Sequence, residues 1–213
     1  MIKNIEYVAN QRTLIKVKTD KGNFCIRYKD IRPYWDYASS DDFEGGTATI
    51  SSDSDYLIFT MLTAGGQGGV VCVWDCNENK LIHISEGSYV ITATIANNKV
   101  YKLHNVSCWG VASHLNVSIS PLETMNAWDE GTYLYADTPT EIKNYHNAVE
   151  KAKIIVENER ISIQFEDQDV LFTADESKAT AMNEKFSKYY GSPDETKEEA
   201  KIRKEKLIAG MLL

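Results

Sequence analysis

Along most of the first 120 residues, apolar positions alternate with polar ones in short runs separated by turn residues. In residues 24–28, for example, Phe24, Ile26 and Tyr28 fall on one face of an extended chain. Period-two alternation bounded by Gly, Asn and Asp is typical of antiparallel strands joined by tight turns. This pattern predicts strands at residues 13–18, 24–28, 47–50, 56–62, 70–75, 80–85, 89–95, 99–104 and 115–120.

After about residue 137 the apolar spacing changes to three and four residues, which is typical of helices. Thr138 and Glu141 have the spacing of a capping box, with proline at the first helical position. Gly191 is placed to end a helix, and Ser192 is placed to begin another. The elements predicted in this part are a helix over 138–152, a hairpin at 161–165 and 170–173, a helix over 176–190, and a helix from Ser192 onward.

These patterns together predict an α+β fold that is predominantly antiparallel β, with about three helices toward the C-terminus. A sandwich, a barrel and a propeller-like sheet all fit strands of this length and spacing. We expect residues 1–136 to form the antiparallel β domain. Residues 137–213 would form a helix-hairpin-helix-helix extension, either separate or packed on the first part as one domain.

The propeller alternative comes from one local motif. Residues 71–75 read Val-Cys-Val-Trp-Asp and are followed by a turn and by Lys-Leu-Ile-His at residues 80–83. This segment resembles the end of a β-propeller blade of the WD-repeat type, and the resemblance implies further blades. The Gly-His that opens such a repeat is absent, and no second Trp-Asp follows at the 40 to 45 residues that separate blades.

The composition is that of a folded, acidic protein. Of the 213 residues, 43% are hydrophobic and 25% are charged, and the formal net charge is −8. This balance argues against binding to a nucleic-acid backbone or an anionic membrane, since both require clustered Lys and Arg. Glu6 and Asn10 interrupt any apolar run near the N-terminus, so a secretory signal is not indicated and we expect a cytoplasmic protein.

The charge is distributed unevenly along the chain. No Lys or Arg occurs between Arg32 and Lys80. The same stretch contains eight acidic residues, Asp36, Asp41, Asp42, Glu44, Asp53, Asp55, Asp75 and Glu78. Because these acids fall largely in different predicted turns, and alternate turns project from opposite ends of a sheet, the eight acids need not form a single patch.

The strongest candidate site is therefore the shorter segment at the head of this stretch, where aromatic residues precede acidic ones. Tyrosine and tryptophan bury large areas at a small entropic cost, and adjacent carboxylates suit Lys or Arg on a partner. The same residues could instead close the core and solvate a loop. The predicted partner-binding residues are Tyr34, Trp35, Asp36, Tyr37, Asp41, Asp42 and Glu44.

Catalytic and metal-binding patterns are weaker. Cys72 and Cys76 have a spacing that zinc motifs allow, but on one strand their backbones would lie about 13 Å apart, too far for a single zinc ion. His83 and His104 fall within strands, where a structural role is usual, and no Gly-x-Ser-x-Gly motif is present. Paired acids such as Asp41-Asp42 could serve glycoside hydrolysis but also arise freely in acidic loops. We predict no metal and no cofactor.

Three functions remain open from the sequence. The first is a non-catalytic protein-binding module, such as an inhibitor or immunity-type protein that covers a basic surface of its partner. The second is a hydrolase or carbohydrate-active enzyme that uses carboxylates from loops of a β scaffold. The third is a structural module that associates with itself through the apolar end of the C-terminal helix.

Overall fold

In a computed structural model of the chain, the protein is mostly β. The described residues form sixteen strands in four mostly antiparallel sheets, two α-helices and one 3-10 turn. The structure describes residues 2–8, 13–39, 41, 48–50, 55–63, 68–106, 114–128, 131–135, 151–165, 168–178, 180–181 and 196–211.

The strands run through nearly the whole chain. The first eight are β1 (Ile2–Tyr7), β2 (Thr13–Thr19), β3 (Asn23–Arg27), β4 (Ala48–Ile50), β5 (Tyr56–Leu62), β6 (Gly69–Asp75), β7 (Lys80–Glu86) and β8 (Val90–Ala96). The other eight are β9 (Lys99–Val106), β10 (His114–Pro121), β11 (Thr124–Met125), β12 (Thr132–Tyr135), β13 (Lys153–Glu157), β14 (Arg160–Phe165), β15 (Gln168–Asp175) and β16 (Thr180–Ala181). The helical elements are α1 (Tyr28–Ile31), the 3-10 turn η1 (Glu176–Lys178) and α2 (Lys197–Met211).

Strand order follows the sequence closely, as expected for meanders. The sheets have the orders β1-β2-β3, β11-β7-β6-β5-β4, β16-β12-β10-β9-β8 and β13-β14-β15. The pairing of β11 with β7 is parallel, whereas the neighbouring strands in β1–β3, β4–β7 and β13–β15 pair antiparallel, as does β12 with β10 and with β16. By its contacts the chain divides into two compact units, residues 1–102 with 120–129, and residues 103–119 with 130–213.

The first unit is a sandwich with a further layer. Apolar side chains of β1–β3, including Leu14, Val17 and Ile26, share one core cluster with those of β5–β7. The opposite face of β5 and β6 forms a second cluster with Val90 and Val100, which belong to β8 and β9. The sheet that contains β5 and β6 is therefore covered on both faces.

This central position explains why residues 56–62 of β5 and residues 69–74 of β6 include no charged residue. On β5, Leu57 and Phe59 point into the first cluster, and Ile58 between them points into the second. On β6, Cys72 and Val73 divide between the two clusters in the same way. A strand buried on both faces favours apolar residues on both sides of the chain, so a nearly continuous hydrophobic run replaces the alternation.

Five of the described strands were not predicted from the sequence, namely β1, β11, β12, β13 and β16, and the last four of these are short. In β1 the pairing with β2 shifts between Ile2 and Asn4, so the apolar residues Ile2 and Ile5 lie three positions apart. Such a bulge breaks the period of two. β13 is a continuous apolar run flanked by charges, and β12 is short, with four residues.

In the second unit, β13–β15 form a meander in which Ile161 and Ile163 of the central strand are fully buried. β12 pairs with both β10 and β16. The predicted boundary at residues 136 and 137 falls in a part of the chain outside the described residues, and it stays a prediction.

The helical predictions require correction. Residues 176–178 form a 3-10 turn and residues 180–181 form β16, so the helix predicted over 176–190 does not begin as expected. Pairing of Thr180 with Tyr133 gives this segment a long-range backbone partner that the local spacing did not indicate. The helix predicted over 138–152 lies outside the described residues up to residue 150, and Ala152 precedes β13.

The third predicted helix is present as α2, but its N-cap is Thr196. The backbone N–H of Glu199 donates to Thr196 Oγ1 at 3.3 Å, and the Thr196 backbone N–H donates to Glu199 Oε2 at 2.8 Å. This reciprocal pair is a capping box, and it begins the helix at Lys197. No helix in the described part of the chain is long and apolar enough to cross a membrane.

Candidate functional site

The predicted aromatic-acidic segment begins where α1 ends. The Asp30 carboxylate accepts a hydrogen bond from the Arg27 backbone N–H at 2.9 Å, which closes the first turn of this short helix. The N–H groups of Tyr34 and Trp35 both donate to the Ile31 carbonyl, at 2.9 and 3.3 Å. The chain therefore turns tightly at Pro33.

Two residues attach this segment to the core. Trp35 is 2% exposed and Ala38 is 1% exposed, and both belong to the cluster between the first two sheets. The Ala38 N–H donates to the Trp35 carbonyl at 3.1 Å, which fixes the spacing of these two anchors. The interpretation that aromatic residues here close the core is therefore correct for Trp35.

The tyrosines on either side of Trp35 point outward. Tyr34 is 40% exposed and Tyr37 is 54% exposed. The rings of Trp35 and Tyr37 lie 6.1 Å apart between centroids with an angle of 56° between their planes, a tilted aromatic contact. The Tyr37 ring thus lies against a buried ring, while about half of the side chain stays exposed to solvent.

Two of the four acids in the predicted site lie in the part of the chain that the structure describes. Asp36 and Asp41 are exposed, whereas Asp42 and Glu44 lie outside the described residues. The described part of the site is then two exposed phenol rings with two exposed carboxylates beside them in sequence. Trp35 positions the segment and does not present its own ring to solvent.

A second acidic group forms at one end of the central sheet. Asn77 Nδ2 donates to Asp55 Oδ1 at 2.9 Å, which joins the turn between β6 and β7 to the residue before β5. This end is partly neutralised, because Lys21 Nζ donates to Asn77 Oδ1 at 3.4 Å and Lys80 forms an ion pair with Glu78. It is therefore a less suitable surface for a basic partner than the segment around Tyr37.

Sequence reasoning missed one exposed apolar pair. Met125 is 38% exposed and Trp128 is 61% exposed. Ala127 between them belongs to the core cluster, and the Trp128 N–H donates to Asn126 Oδ1 at 3.1 Å. The exposure of Trp128 has no signal in a single sequence.

A buried polar network brings together residues that resemble a nucleophilic site. His83 Nε2 lies 2.7 Å from Ser85 Oγ, and Lys102 Nζ donates to the same oxygen at 2.8 Å. His83 Nδ1 lies 3.0 Å from the carbonyl oxygens of both Pro121 and Leu122. Carbonyls only accept, so Nδ1 carries a proton, and in the neutral imidazole Nε2 then accepts from the serine hydroxyl.

This network has the chemistry of an activated serine but no access for a substrate. His83 and Ser85 are 0% exposed and Lys102 is 1% exposed. Lys102 Nζ also donates to the Glu86 carbonyl at 3.0 Å, so the ammonium is held by oxygen acceptors inside the protein. In the second unit, His104 Nε2 lies 2.6 Å from Ser118 Oγ, also buried. Both groups join strands within the fold.

The cysteines and acids give no metal centre in the described part of the chain. No group of three or more His, Cys, Asp or Glu side chains converges there. Burial raises the pKa of the Cys72 thiol, and burial together with Asp75 raises the pKa of Cys76 to about 11. Both thiols therefore stay protonated near neutral pH and are poor nucleophiles.

The chain matches no protein-family model and no curated protein. The functional conclusion therefore depends on the geometry of the segment from Tyr34 to Asp41.

Proposed function

We propose that the protein is a non-catalytic binding module that covers a basic surface of a partner protein, in the manner of an inhibitor or immunity-type protein. One observation carries this proposal: Trp35 is buried under a segment that presents Tyr34 and Tyr37 to solvent. Exposed aromatic rings on a rigid support are typical of residues that dominate binding energy at protein interfaces.

Charge supports the choice of partner. Asp36 and Asp41 are exposed in the same segment, and the chain as a whole has a formal net charge of −8. Carboxylates beside an aromatic contact would pair with Lys or Arg and accelerate encounter with a basic surface. Asp42 and Glu44 extend the proposed site along the sequence. The free thiols of Cys25, Cys72 and Cys76 are consistent with the cytoplasm as the proposed location.

The test is capture of a partner from lysate of the organism that encodes the protein, at low and high salt. The Tyr34→Ala/Tyr37→Ala variant should lose capture at both salt concentrations. The Asp36→Asn/Asp41→Asn variant should weaken capture mainly at low salt, because screening already reduces the charge contribution at high salt.

Two control variants remove the same types of residue at exposed positions outside the proposed site. Tyr89→Asn removes another exposed tyrosine, and asparagine tolerates the φ of 57° at that position. Glu157→Gln/Glu159→Gln removes two exposed acids, one at the end of β13 and one in the turn that follows it. Both controls should capture like the wild type. Equal capture by all variants, or capture that is indifferent to salt, would exclude the proposed surface.

A further inference from the structure

Strand β8 lies at the edge of its sheet and lacks the features that usually protect edges. Among the described strands it pairs with β9 alone. Edge strands commonly carry charge, proline or a bulge, because their open peptide groups can pair with another chain. The seven residues of β8, Val-Ile-Thr-Ala-Thr-Ile-Ala, include neither charge nor proline.

The other described edge strands differ from β8 in this respect. β4, β11 and β16 contain three, two and two residues, too short to form a long ladder. The longer ones all carry charged residues: Lys3 and Glu6 in β1, Arg27 in β3, Lys153 and Glu157 in β13, and Asp169 and Asp175 in β15. Among the described edges, β8 is the one that is both long and uncharged.

The turn that follows β8 determines which peptide groups face the open edge. Asn97 and Asn98 have φ values of 49° and 60°, as in a two-residue type I′ hairpin. In such a hairpin the residues next to the turn, Ala96 and Lys99, form a hydrogen-bonded pair. Counting back along β8, the peptide groups of residues 92 and 94 face β9. Those of Ile91, Ala93 and Ile95 face the open edge.

The sequence of this edge is symmetric. Residues 91–95 read Ile-Thr-Ala-Thr-Ile, which is the same in both directions about Ala93. In an antiparallel pair related by a two-fold axis at Ala93, each outward peptide group meets an outward peptide group. Ala93 then faces Ala93, and Ile91 faces Ile95 of the second copy. Thr92 faces Thr94 of the second copy, a cross-strand pair that stabilises sheets.

Pairing at this edge also leaves the packing of β8 unchanged. Ala93 and Ile95 pack against the second core cluster, so a second copy would extend the sheet and leave the cluster in place.

From this edge and its symmetry we propose that β8 pairs antiparallel with β8 of a second copy of the chain, centred on Ala93, so that two five-stranded sheets continue into one. The strand spans about 23 Å, and pairing over that length alone buries a small area compared with stable dimers. The association is therefore weak and depends on concentration. The surface is separate in sequence from the segment around Tyr37 and does not depend on the proposed partner.

The first test is the mass of the full chain by sedimentation equilibrium over a wide range of concentrations. The wild type should show a monomer–dimer equilibrium. Thr92→Lys/Thr94→Lys should weaken dimerisation at least tenfold, because each introduced charge would face another of the same sign. Thr173→Lys, at an exposed position of edge strand β15, should leave the equilibrium unchanged. A wild type that stays monomeric at millimolar concentration would overturn the proposal.

The second test measures the register of the β8–β8 pair directly. It remains valid even if the lysine variants do not fold. In a chain whose Cys25 and Cys108 are replaced by serine, Ala93→Cys should form a disulfide-linked dimer on mild oxidation, since facing Cα atoms of a hydrogen-bonded pair lie about 5.5 Å apart. Thr92→Cys should not, because it faces residue 94. Equal cross-linking of both, or of neither, would overturn the proposed register. Loss of the dimer on removal of residues 205–213, with the strand variants still dimeric, would assign self-association to α2 instead.

Discussion

Trp35 and Tyr37 lie 6.1 Å apart between ring centroids, yet one is 2% exposed and the other 54%. Two neighbouring aromatic residues in one short segment thus have different roles, since the first anchors the segment and the second faces solvent. Substitution of the buried ring should therefore change the stability of the protein, whereas substitution of an exposed ring should not. The two effects can be measured separately.

We expect Trp35→Ala to lower the free energy of unfolding by about 3–5 kcal/mol, the usual cost of removing a large buried aromatic side chain. Tyr34→Ala removes an exposed ring from the same segment and should change stability by about 0.5 kcal/mol or less. Denaturant unfolding of both variants gives the comparison. Equal stability of Trp35→Ala and the wild type would contradict the assignment of Trp35 as the anchor.

The buried network gives a second prediction. Ser85→Ala removes the hydroxyl that His83 and Lys102 share, and it should cost about 1–3 kcal/mol, as for other buried hydrogen-bonded groups. Lys102→Met removes the ammonium and keeps a side chain of similar length. Because both residues belong to one network, the double variant should deviate from additivity by about 0.5–3 kcal/mol. Additive free energies in this double-mutant cycle would show that the two residues act independently.

Cys76 makes stability depend on pH in the alkaline range. Its pKa in the folded protein is raised from its ordinary value of 9.0 to about 11, mainly by burial. Between these values the thiol ionises in the unfolded chain and stays neutral in the folded one, so stability falls as pH rises. Cys76→Ala should remove part of that fall. Unfolding of both proteins at several pH values from 8 to about 11 measures it, and identical pH profiles would contradict the raised pKa.

The N-terminus of α2 should respond to acid. Hydrogen bonds from the Thr196 hydroxyl and N–H lower the pKa of Glu199. A carboxylate with a lowered pKa stabilises the folded form above its ordinary pKa, and this contribution is lost as pH falls through the folded value. Glu199→Gln should therefore reduce the pH dependence of amide exchange in the first turn of α2. Thr196→Ala should accelerate exchange at every pH, whereas unchanged exchange would exclude the capping box.

Much of the β architecture could be predicted from the sequence, because alternation is a local property. The hairpin of β2 and β3 and the two meanders β5–β7 and β8–β10 correspond to predicted strands. Alternation fails where the backbone adds a residue, as at the bulge near Ile2, or where both faces are covered. The helix predicted over residues 176–190 shows a third kind of failure. There the pairing of Thr180 with a distant strand takes precedence over a local helical spacing.

The candidate site was predictable as a segment but not in the orientation of its side chains. Tyrosine and tryptophan have similar preferences for buried and interfacial positions, so the sequence could not show which ring enters the core. That choice is made by the packing of Trp35 and Ala38 between two sheets whose strands are distant in sequence. The partner-binding role of this segment stays a prediction.

The double coverage of β5 and β6 has a consequence for synthesis of the chain. The face of β5 and β6 that packs against β1–β3 can be covered early, because β1–β3 emerge from the ribosome first. The opposite face is covered only after Val90, Val100 and Leu122 have been synthesised. Until then a wide apolar sheet surface is open to water and to other nascent chains. Chains that end before Val90 should therefore aggregate or bind chaperones, and release from chaperones should coincide with the appearance of β8 and β9.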